Sequence, residues 1–215
     1  FAGIVVVPFV NEEVNRTAVL TLLTQLLSVV LPVTYIFYRV IGQEKAIDAI
    51  GLGKWSWRHL RAGLLGTMLA LPVVMTISTL GSIGLLLSGV KPPEVGHSLL
   101  NMLSDPGVTY AGVMIALSAV LIAPAAEELI YRGLIQTFLL RRLGPSRRWL
   151  VIAIASVIFA LVHLGSVPWI MLPSLFALGM ILGWLYEVTG SLTPSIIVHA
   201  LFNGANLLLA VVVLN

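Results

Sequence analysis

The chain has 215 residues, of which 59% are hydrophobic and 10% charged, and its formal net charge is +3. Soluble domains carry about 25% charged residues, so this composition, with a mean hydropathy of +1.04, predicts an integral membrane protein whose first partner is the lipid bilayer. The absence of cysteine excludes thiol catalysis, disulfides and cysteine-based zinc sites, and the small net charge does not indicate a nucleic-acid partner.

Six segments are apolar over the roughly 20 residues that a membrane-spanning helix needs. In chain order they are 17–41, 60–88, 110–141, 149–166, 168–187 and 192–214. Residues 1–10 form a further apolar stub, and residues 89–109 predict a loop with a short amphipathic segment. No repeat or soluble insertion interrupts the pattern. The sequence therefore predicts an all-α fold, a polytopic transmembrane helical bundle, as a single domain over residues 1–215.

Proline and glycine mark special places within the predicted spans. The segment 110–141 is too long for one straight helix, and Pro124 is expected to bend or break it. Small residues in the segment 60–88 allow close helix packing, and the expected contact points are Gly63, Gly66, Gly81 and Gly84.

Basic residues predict the orientation of the chain. Nine of the twelve Lys and Arg residues lie in two groups, within residues 39–61 and 141–148. Cytoplasmic loops are enriched in Lys and Arg, and one topology places both groups on the same side. We therefore expect loops 39–61 and 141–148 to be cytoplasmic and loops 11–16 and 89–109 to face outward, in what is expected to be the cell membrane.

Ionisable side chains on three predicted helices fall at similar depths. Counting about 1.5 Å per residue from the basic group 141–148 places Glu127 about 20 Å and His163 about 22 Å into the membrane. The same count from the turn at 189–194 places His199 about 15 Å deep. Each ionisable group alone is costly in lipid. The sequence therefore predicts that these three groups meet.

The motif Glu127-Glu128-xxx-Arg132 combines two carboxylates with one guanidinium. Glu128 and Arg132 are four apart and can form an ion pair on one helical face, which by itself is a structural role. Glu127 points about 100° away from Glu128, and one arginine cannot neutralise two carboxylates. Glu127 must therefore be protonated, find a cation or contact water, and a buried carboxylate of this kind suits general acid–base chemistry.

Two further motifs have the same four-residue spacing. Phe159 precedes His163, and His199 precedes Asn203. His163 by itself is more simply interpreted as a packing residue, and Asn203 could bridge two helices. Two hydrogen-bonding groups at one level of one helix are nevertheless more than packing requires.

Several hydrolytic chemistries are disfavoured by what the chain lacks. No serine lies in a GxSxG motif, the aspartates Asp48 and Asp105 fall in predicted loops, and HExxH is absent. The sequence does not exclude a zinc site formed by His163, His199 and a glutamate. The favoured alternative needs no cofactor: a glutamate and a histidine activate water, while His199 and Asn203 donate hydrogen bonds to the oxyanion.

These motifs, EExxxR, FxxxH and HxxxN in that order, resemble the CPBP family of CAAX-processing and bacteriocin-processing (Abi) intramembrane glutamate proteases. The resemblance covers about residues 110–210, the expected catalytic core. It implies an eight-helix-like bundle with a conical cavity open to cytoplasm and membrane, and cleavage of a peptide or lipidated-peptide substrate. No protein partner is implied.

The resemblance also implies roles for individual residues. Glu127 and His163 would activate the water, while His199 and Asn203 would hold the oxyanion. Glu128 and Arg132 would orient Glu127 and hold its helix in place. Phe159 would line the substrate cavity.

Three functions compete at this point. The first is an intramembrane endopeptidase that cuts CAAX-type, leader or pheromone peptides near the cytoplasmic half of the membrane. The second is a catalytically idle binding protein, such as an immunity factor or complex subunit, on the same scaffold. The third is proton or ion transport, since buried Glu and His also suit relays, although no pair of discontinuous repeats is apparent.

Overall fold

The computed structural model describes Leu20, Leu27 and residues 56–92 and 116–214. Within these residues the regular elements are all helical and no β-strand occurs, as the predicted all-α fold requires. The predicted span 17–41, the stub 1–10 and most of the loop 89–109 lie outside the described residues.

Six α-helices, two π-helical segments and two short 3₁₀ turns make up the described part of the chain. The α-helices are α1 (Trp57–Leu87), α2 (Ala123–Glu128), α3 (Thr137–Leu143), α4 (Arg148–Val162), α5 (Leu172–Thr189) and α6 (Leu192–Leu214). The first and second π-helical segments are Ser118–Ile122 and Leu129–Gln136, and the 3₁₀ turns are Pro145–Arg147 and Trp169–Met171.

Four described helices are long and apolar enough to cross a membrane, and the protein is an integral membrane protein. These candidate spans are Trp57–Leu87, Pro145–Val162, Trp169–Thr189 and Leu192–Leu209, in the places of four predicted segments. The predicted segment 149–166 is too long, because α4 ends at Val162. Its end is set by a tight turn in which Gly165 has φ +95° and the N–H groups of Ser166 and Val167 donate to the carbonyl of His163.

The spanning helices alternate in direction. Close contacts pair Gly66 on α1 with Leu185 on α5, Gly183 on α5 with Ile152 on α4, and Thr137 on α3 with Tyr186 on α5. These contacts bring the starts of α1, α4 and α6 to the same end of the bundle as the ends of α3 and α5. We call it the arginine end, because it carries Arg58, Arg61, Arg141, Arg142, Arg147 and Arg148. Lys91 follows α1 at the opposite end.

Glycines bring α1 against α5 and α6. A Cβ on Gly63 would lie 2.8 Å from Ile197, and one on Gly66 would lie 2.6 Å from Leu185. Gly81 has a similar role, at 3.1 Å from Ile170. Among the described residues, no heavy atom lies within 4 Å of the Cβ position of Gly84, so the expected close contact is not seen there.

Two further glycines on α5, Gly179 and Gly183, receive hydrogen bonds from the chain that carries the glutamates. Arg132 Nη2 donates to the Gly179 carbonyl at 3.1 Å, and Gln136 Nε2 donates to the Gly183 carbonyl at 3.0 Å. Both pairs have the same four-residue spacing, so the two helical segments match in register. We call these two hydrogen bonds the α5 anchors. They fix the height at which Glu127 and Glu128 stand beside α5.

Pro124 does not break the helix, although a break was one of the two effects expected for it. Residues 116–143 are helical throughout, and Pro124 lies in the first turn of α2, directly after the first π-helical segment. A proline removes one backbone donor and crowds the preceding turn, and the wider winding before it accommodates both effects. π-helical turns are rare and often occur at functional sites; here they flank the two glutamates.

Gly179→Ala is expected to destabilise the fold, because a Cβ at this position would lie 2.9 Å from Ser156 Cβ and 3.1 Å from its Cα. Overpacking of this kind costs about 1–3 kcal/mol. Thermal unfolding in detergent, followed by circular dichroism, measures the change. Gly84→Ala is the matched control, because its Cβ would meet no heavy atom of the described residues within 4 Å. Equal melting temperatures for the two variants would contradict the proposed contact.

Candidate active site

A buried ion pair stands at the base of the site. Arg132 Nη1 lies 2.9 Å from Glu128 Oε1, and the side chains of Arg132 and Glu128 are 1% and 0% exposed. The guanidinium also holds the Gly179 carbonyl on α5. The pair predicted from the four-residue spacing is therefore present, and it joins the glutamate helix to α5.

Glu128 also contacts His199 on α6. The Nδ1 atom of His199 lies 2.9 Å from Glu128 Oε1, and His199 is 3% exposed. The resemblance implied that Glu128 orients Glu127, but its carboxylate instead contacts His199 and Arg132. Because a carboxylate oxygen accepts hydrogen bonds, Nδ1 of His199 is the donor in this contact when Glu128 is ionised. The Nε2 atom of His199 then points away from Glu128.

Glu127 faces two imidazoles at nearly equal distances. Its Oε2 lies 3.8 Å from His163 Nε2 and 3.9 Å from His199 Nε2. Both distances exceed the 2.7–3.2 Å range of a direct N–H···O hydrogen bond. Glu127 Oε2 is buried and has no hydrogen-bond partner among the described residues. The three atoms thus surround a point that all of them could reach through one small polar molecule.

The position of His163 follows from the end of α4. It is the first residue after the helix, and its Nδ1 lies 2.7 Å from the Phe159 carbonyl, one turn back. A carbonyl can only accept, so Nδ1 carries the hydrogen and Nε2 of the neutral ring presents its lone pair. That lone pair lies on the side of the ring facing Glu127.

Phe159 lies beneath both imidazoles. Its ring centroid is 4.8 Å from that of His163 and 5.6 Å from that of His199, the latter in an edge-to-face arrangement. The guanidinium carbon of Arg132 lies 4.8 Å from the same centroid. Phe159 is in the cavity wall, as the resemblance implied, but it is 0% exposed. It therefore supports the imidazoles from behind.

Asn203 bridges two elements. Its Nδ2 donates to the Ala119 carbonyl at 2.9 Å, linking α6 to the first π-helical segment. The bridging role considered for this residue is therefore present. An amide nitrogen carries two hydrogens, so one of them remains for another acceptor. Asn203 also lines the cavity, as do His199 and Glu127.

These side chains share a cavity of about 540 Å³. It collects residues from α1, the first π-helical segment, α2, α4, α5 and α6, including all four residues predicted to be catalytic: Glu127, His163, His199 and Asn203. Most of the remaining wall is apolar.

Other polar residues around the cavity were not predicted. They are Ser78, Ser166, Ser174 and Asn206. Asn206 could have been found, because it follows His199 by seven residues and therefore shares its helical face. The serines carry no comparable pattern.

The side chains near Glu127 can be tested as possible ligands of a metal ion. Among the residues that the structure describes, no group of three or more His, Cys, Asp or Glu side chains is arranged to hold one. In both histidines Nδ1 is already hydrogen-bonded, so Nε2 is the ring nitrogen that faces the cavity. The expectation that no cofactor is needed stays a prediction.

One family of known proteins matches the part of the chain that contains the site residues. The family model described as type II CAAX prenyl endopeptidase Rce1-like matches residues 109–205. No curated protein and no solved structure matches the chain. The matched region contains Glu127, His163, His199 and Asn203, and the predicted relation to the CPBP family is confirmed. Over residues 109–205 this chain is therefore similar to the Rce1-like type II CAAX prenyl endopeptidases.

Proposed function

We propose that the protein is an intramembrane endopeptidase in which Glu127 and His163 activate water. The family implies a protease acting on a membrane-embedded peptide. The observation that carries the mechanism is the position of Glu127 Oε2, 3.8 Å from His163 Nε2 and 3.9 Å from His199 Nε2 in one cavity.

Water activation uses the lone pairs that face the cavity. A water molecule between Glu127 Oε2 and His163 Nε2 can donate one hydrogen bond to each of them, since both atoms are acceptors when His163 is neutral. Its oxygen then directs a lone pair at the carbonyl carbon of a bound peptide. Glu127 removes a proton as the carbon–oxygen bond forms, and His163 keeps the water oriented.

The oxyanion is held by His199 and Asn203. An oxyanion needs donors, so His199 must carry a hydrogen on Nε2 as well as on Nδ1, and it acts as the imidazolium. Glu128 stabilises that cation through its 2.9 Å contact with Nδ1. The charges of Glu127, Glu128, Arg132 and His199 then sum to zero. His199 is the second cation that the two carboxylates require.

The tetrahedral intermediate then collapses. Glu127, now protonated, gives the proton to the leaving nitrogen as the carbon–nitrogen bond breaks. The reaction consumes one water, and the new carboxyl group gives its remaining proton to the amine, so the products are one carboxylate and one ammonium terminus. The protein groups return to their starting protonation states, so no cofactor is required.

The composition of the cavity wall indicates which kind of substrate could bind. Apart from the site residues it is mainly apolar, with contributions such as Val74, Leu175, Phe202 and Leu207. Such a wall suits apolar side chains or a lipidated tail. We propose CAAX-type or leader and pheromone peptides as substrates. The two alternative functions make different predictions from the protease. If the protein only binds a partner, Glu127→Gln leaves the biological phenotype intact. If it transports protons, vesicles that contain it show proton flux.

Glu127→Gln is expected to reduce peptide cleavage by about 10²–10⁴-fold, the usual contribution of a general base. The amide keeps the size of the side chain but accepts no proton at neutral pH. Cleavage is measured by mass spectrometry of new peptide termini, comparing membranes that contain wild type or variant. His163→Ala is expected to lose cleavage as well.

The control is Glu187→Gln, which alters a half-buried glutamate near the arginine end of α5, outside the cavity. It should cleave like wild type. If Glu127→Gln and His163→Ala also generate the wild-type set of termini, the enzyme proposal is wrong.

Glu128→Leu is expected to lower the free energy of unfolding by about 3–5 kcal/mol, because it leaves the buried Arg132 charge without its carboxylate. Glu127→Gln should change stability much less, since Glu127 is 28% exposed and its Oε2 lies 3.8 and 3.9 Å from the histidine nitrogens, beyond direct hydrogen-bond distance. Thermal unfolding in detergent compares the two variants. Similar melting temperatures would contradict the proposal that Glu128 stabilises the fold and Glu127 does not.

Asn203→Ala is expected to lower kcat by about 10²–10³-fold, as the loss of one oxyanion donor does, with a smaller effect on KM. The matched control is Asn206→Ala, a residue of the same type on the same helix whose Nδ2 donates to the Phe202 carbonyl. It should retain kcat. A loss that appears only in KM for Asn203→Ala would show that this amide binds substrate and does not hold the oxyanion.

A further inference from the structure

The cavity is closed toward the arginine end. Its inner wall contains Val74, Phe159, Leu178 and His199, which are 0–3% exposed. Beneath them lie Glu128, Arg132 and Gln136, each at most 1% exposed, where Arg132 and Gln136 form the α5 anchors. In the part of the chain that the structure describes, this packed layer separates the site from the arginine end.

The exposed residues of the cavity wall lie at the other end. Two lining residues are exposed: Ser166 in the turn after α4, and Asn206 on α6. His163, which begins that turn, is 15 residues beyond Arg148, or about 22 Å at the rise of an α-helix. Asn206 is 14 residues beyond Leu192, or about 21 Å. Both edges of the mouth are therefore far from the arginines.

Exposed tryptophans mark the two membrane surfaces in the same way. Trp57 and Trp149 are 68% and 53% exposed at the arginine end, and Trp169, three residues after Ser166, is 63% exposed at the other. Tryptophan is enriched where a protein crosses the membrane–water interface. The mouth of the cavity is thus at the level of one interface, and the arginines are at the opposite one.

We propose that the scissile peptide enters the site from the side of the membrane opposite the arginine end. Arginine-rich ends face the cytoplasm, so the mouth opens to the non-cytoplasmic side. Of the proposed substrates, leader and pheromone peptides that reach the non-cytoplasmic leaflet fit this side of entry, whereas CAAX-type tails on the cytoplasmic side do not. This inference rests on the proposed proteolysis, and it differs from the expectation of a cavity open to the cytoplasm.

The absence of cysteine from the chain provides a direct test. Ser166→Cys places a single thiol at the mouth, and Asn206→Cys places one on its other edge. Ser146→Cys, in the exposed turn between Arg142 and Arg147, is the matched variant at the arginine end. Each full-length variant is expressed in a bacterial membrane and treated with a membrane-impermeant maleimide, as intact spheroplasts and after permeabilisation.

The proposal expects Ser166→Cys and Asn206→Cys to be labelled in intact spheroplasts, and Ser146→Cys only after permeabilisation. The reverse pattern would place the mouth in the cytoplasm and overturn the proposal. Labelling of all three variants from the same side would overturn it too, as would mouth thiols that stay unreactive after permeabilisation. If one of the two mouth variants fails to accumulate, the other decides.

Cleavage does not enter this readout, so the side of entry and the proteolytic activity can fail separately. Accessible mouth thiols together with an active Glu127→Gln variant would leave the orientation standing and remove the enzyme. A second readout joins the two proposals. The impermeant reagent, added to intact spheroplasts, should abolish the appearance of new peptide termini in Ser166→Cys and leave cleavage by Ser146→Cys unchanged.

Discussion

The Glu128 carboxylate is the point on which the rest of the site depends. It is fully buried, and its Oε1 accepts from Arg132 and from His199, which belong to different helical elements. An ionised carboxylate in an apolar interior requires such partners. The two contacts hold α6 against the glutamate helix, and Arg132 extends the connection to α5. The geometry around Glu127 follows from this arrangement.

Neighbouring glutamates in one helix thus meet different surroundings. Glu128 points into packed protein and satisfies two cations, whereas Glu127, turned about 100° around the helix axis, reaches the cavity. In the described part of the chain its Oε2 has no hydrogen-bond partner, and two ring nitrogens stand at nearly equal distances from it. Helix geometry therefore places a carboxylate that contacts two cations beside a carboxylate that faces the cavity.

Much of the site could be predicted from the sequence because residue spacing along a helix fixes which side chains share a face. The four-residue interval in Glu128-xxx-Arg132 can be converted to a contact without knowing the fold, and counting residues from the basic loops brought Glu127, His163 and His199 to one level. Which glutamate meets which histidine depends on how α6 is rotated, and no local pattern encodes that. The link from Asn203 to Ala119 also depends on tertiary packing.

The winding of the second π-helical segment limits how this region can change in length. Thr137 returns both its N–H and its hydroxyl to the Arg132 carbonyl, five residues back, where an α-helix would use a four-residue interval. Deleting one residue between Arg132 and Gln136 would shorten the interval between the two α5 anchors to three residues, whereas Gly179 and Gly183 would stay four residues apart. Natural relatives should therefore vary here by substitution far more often than by insertion or deletion.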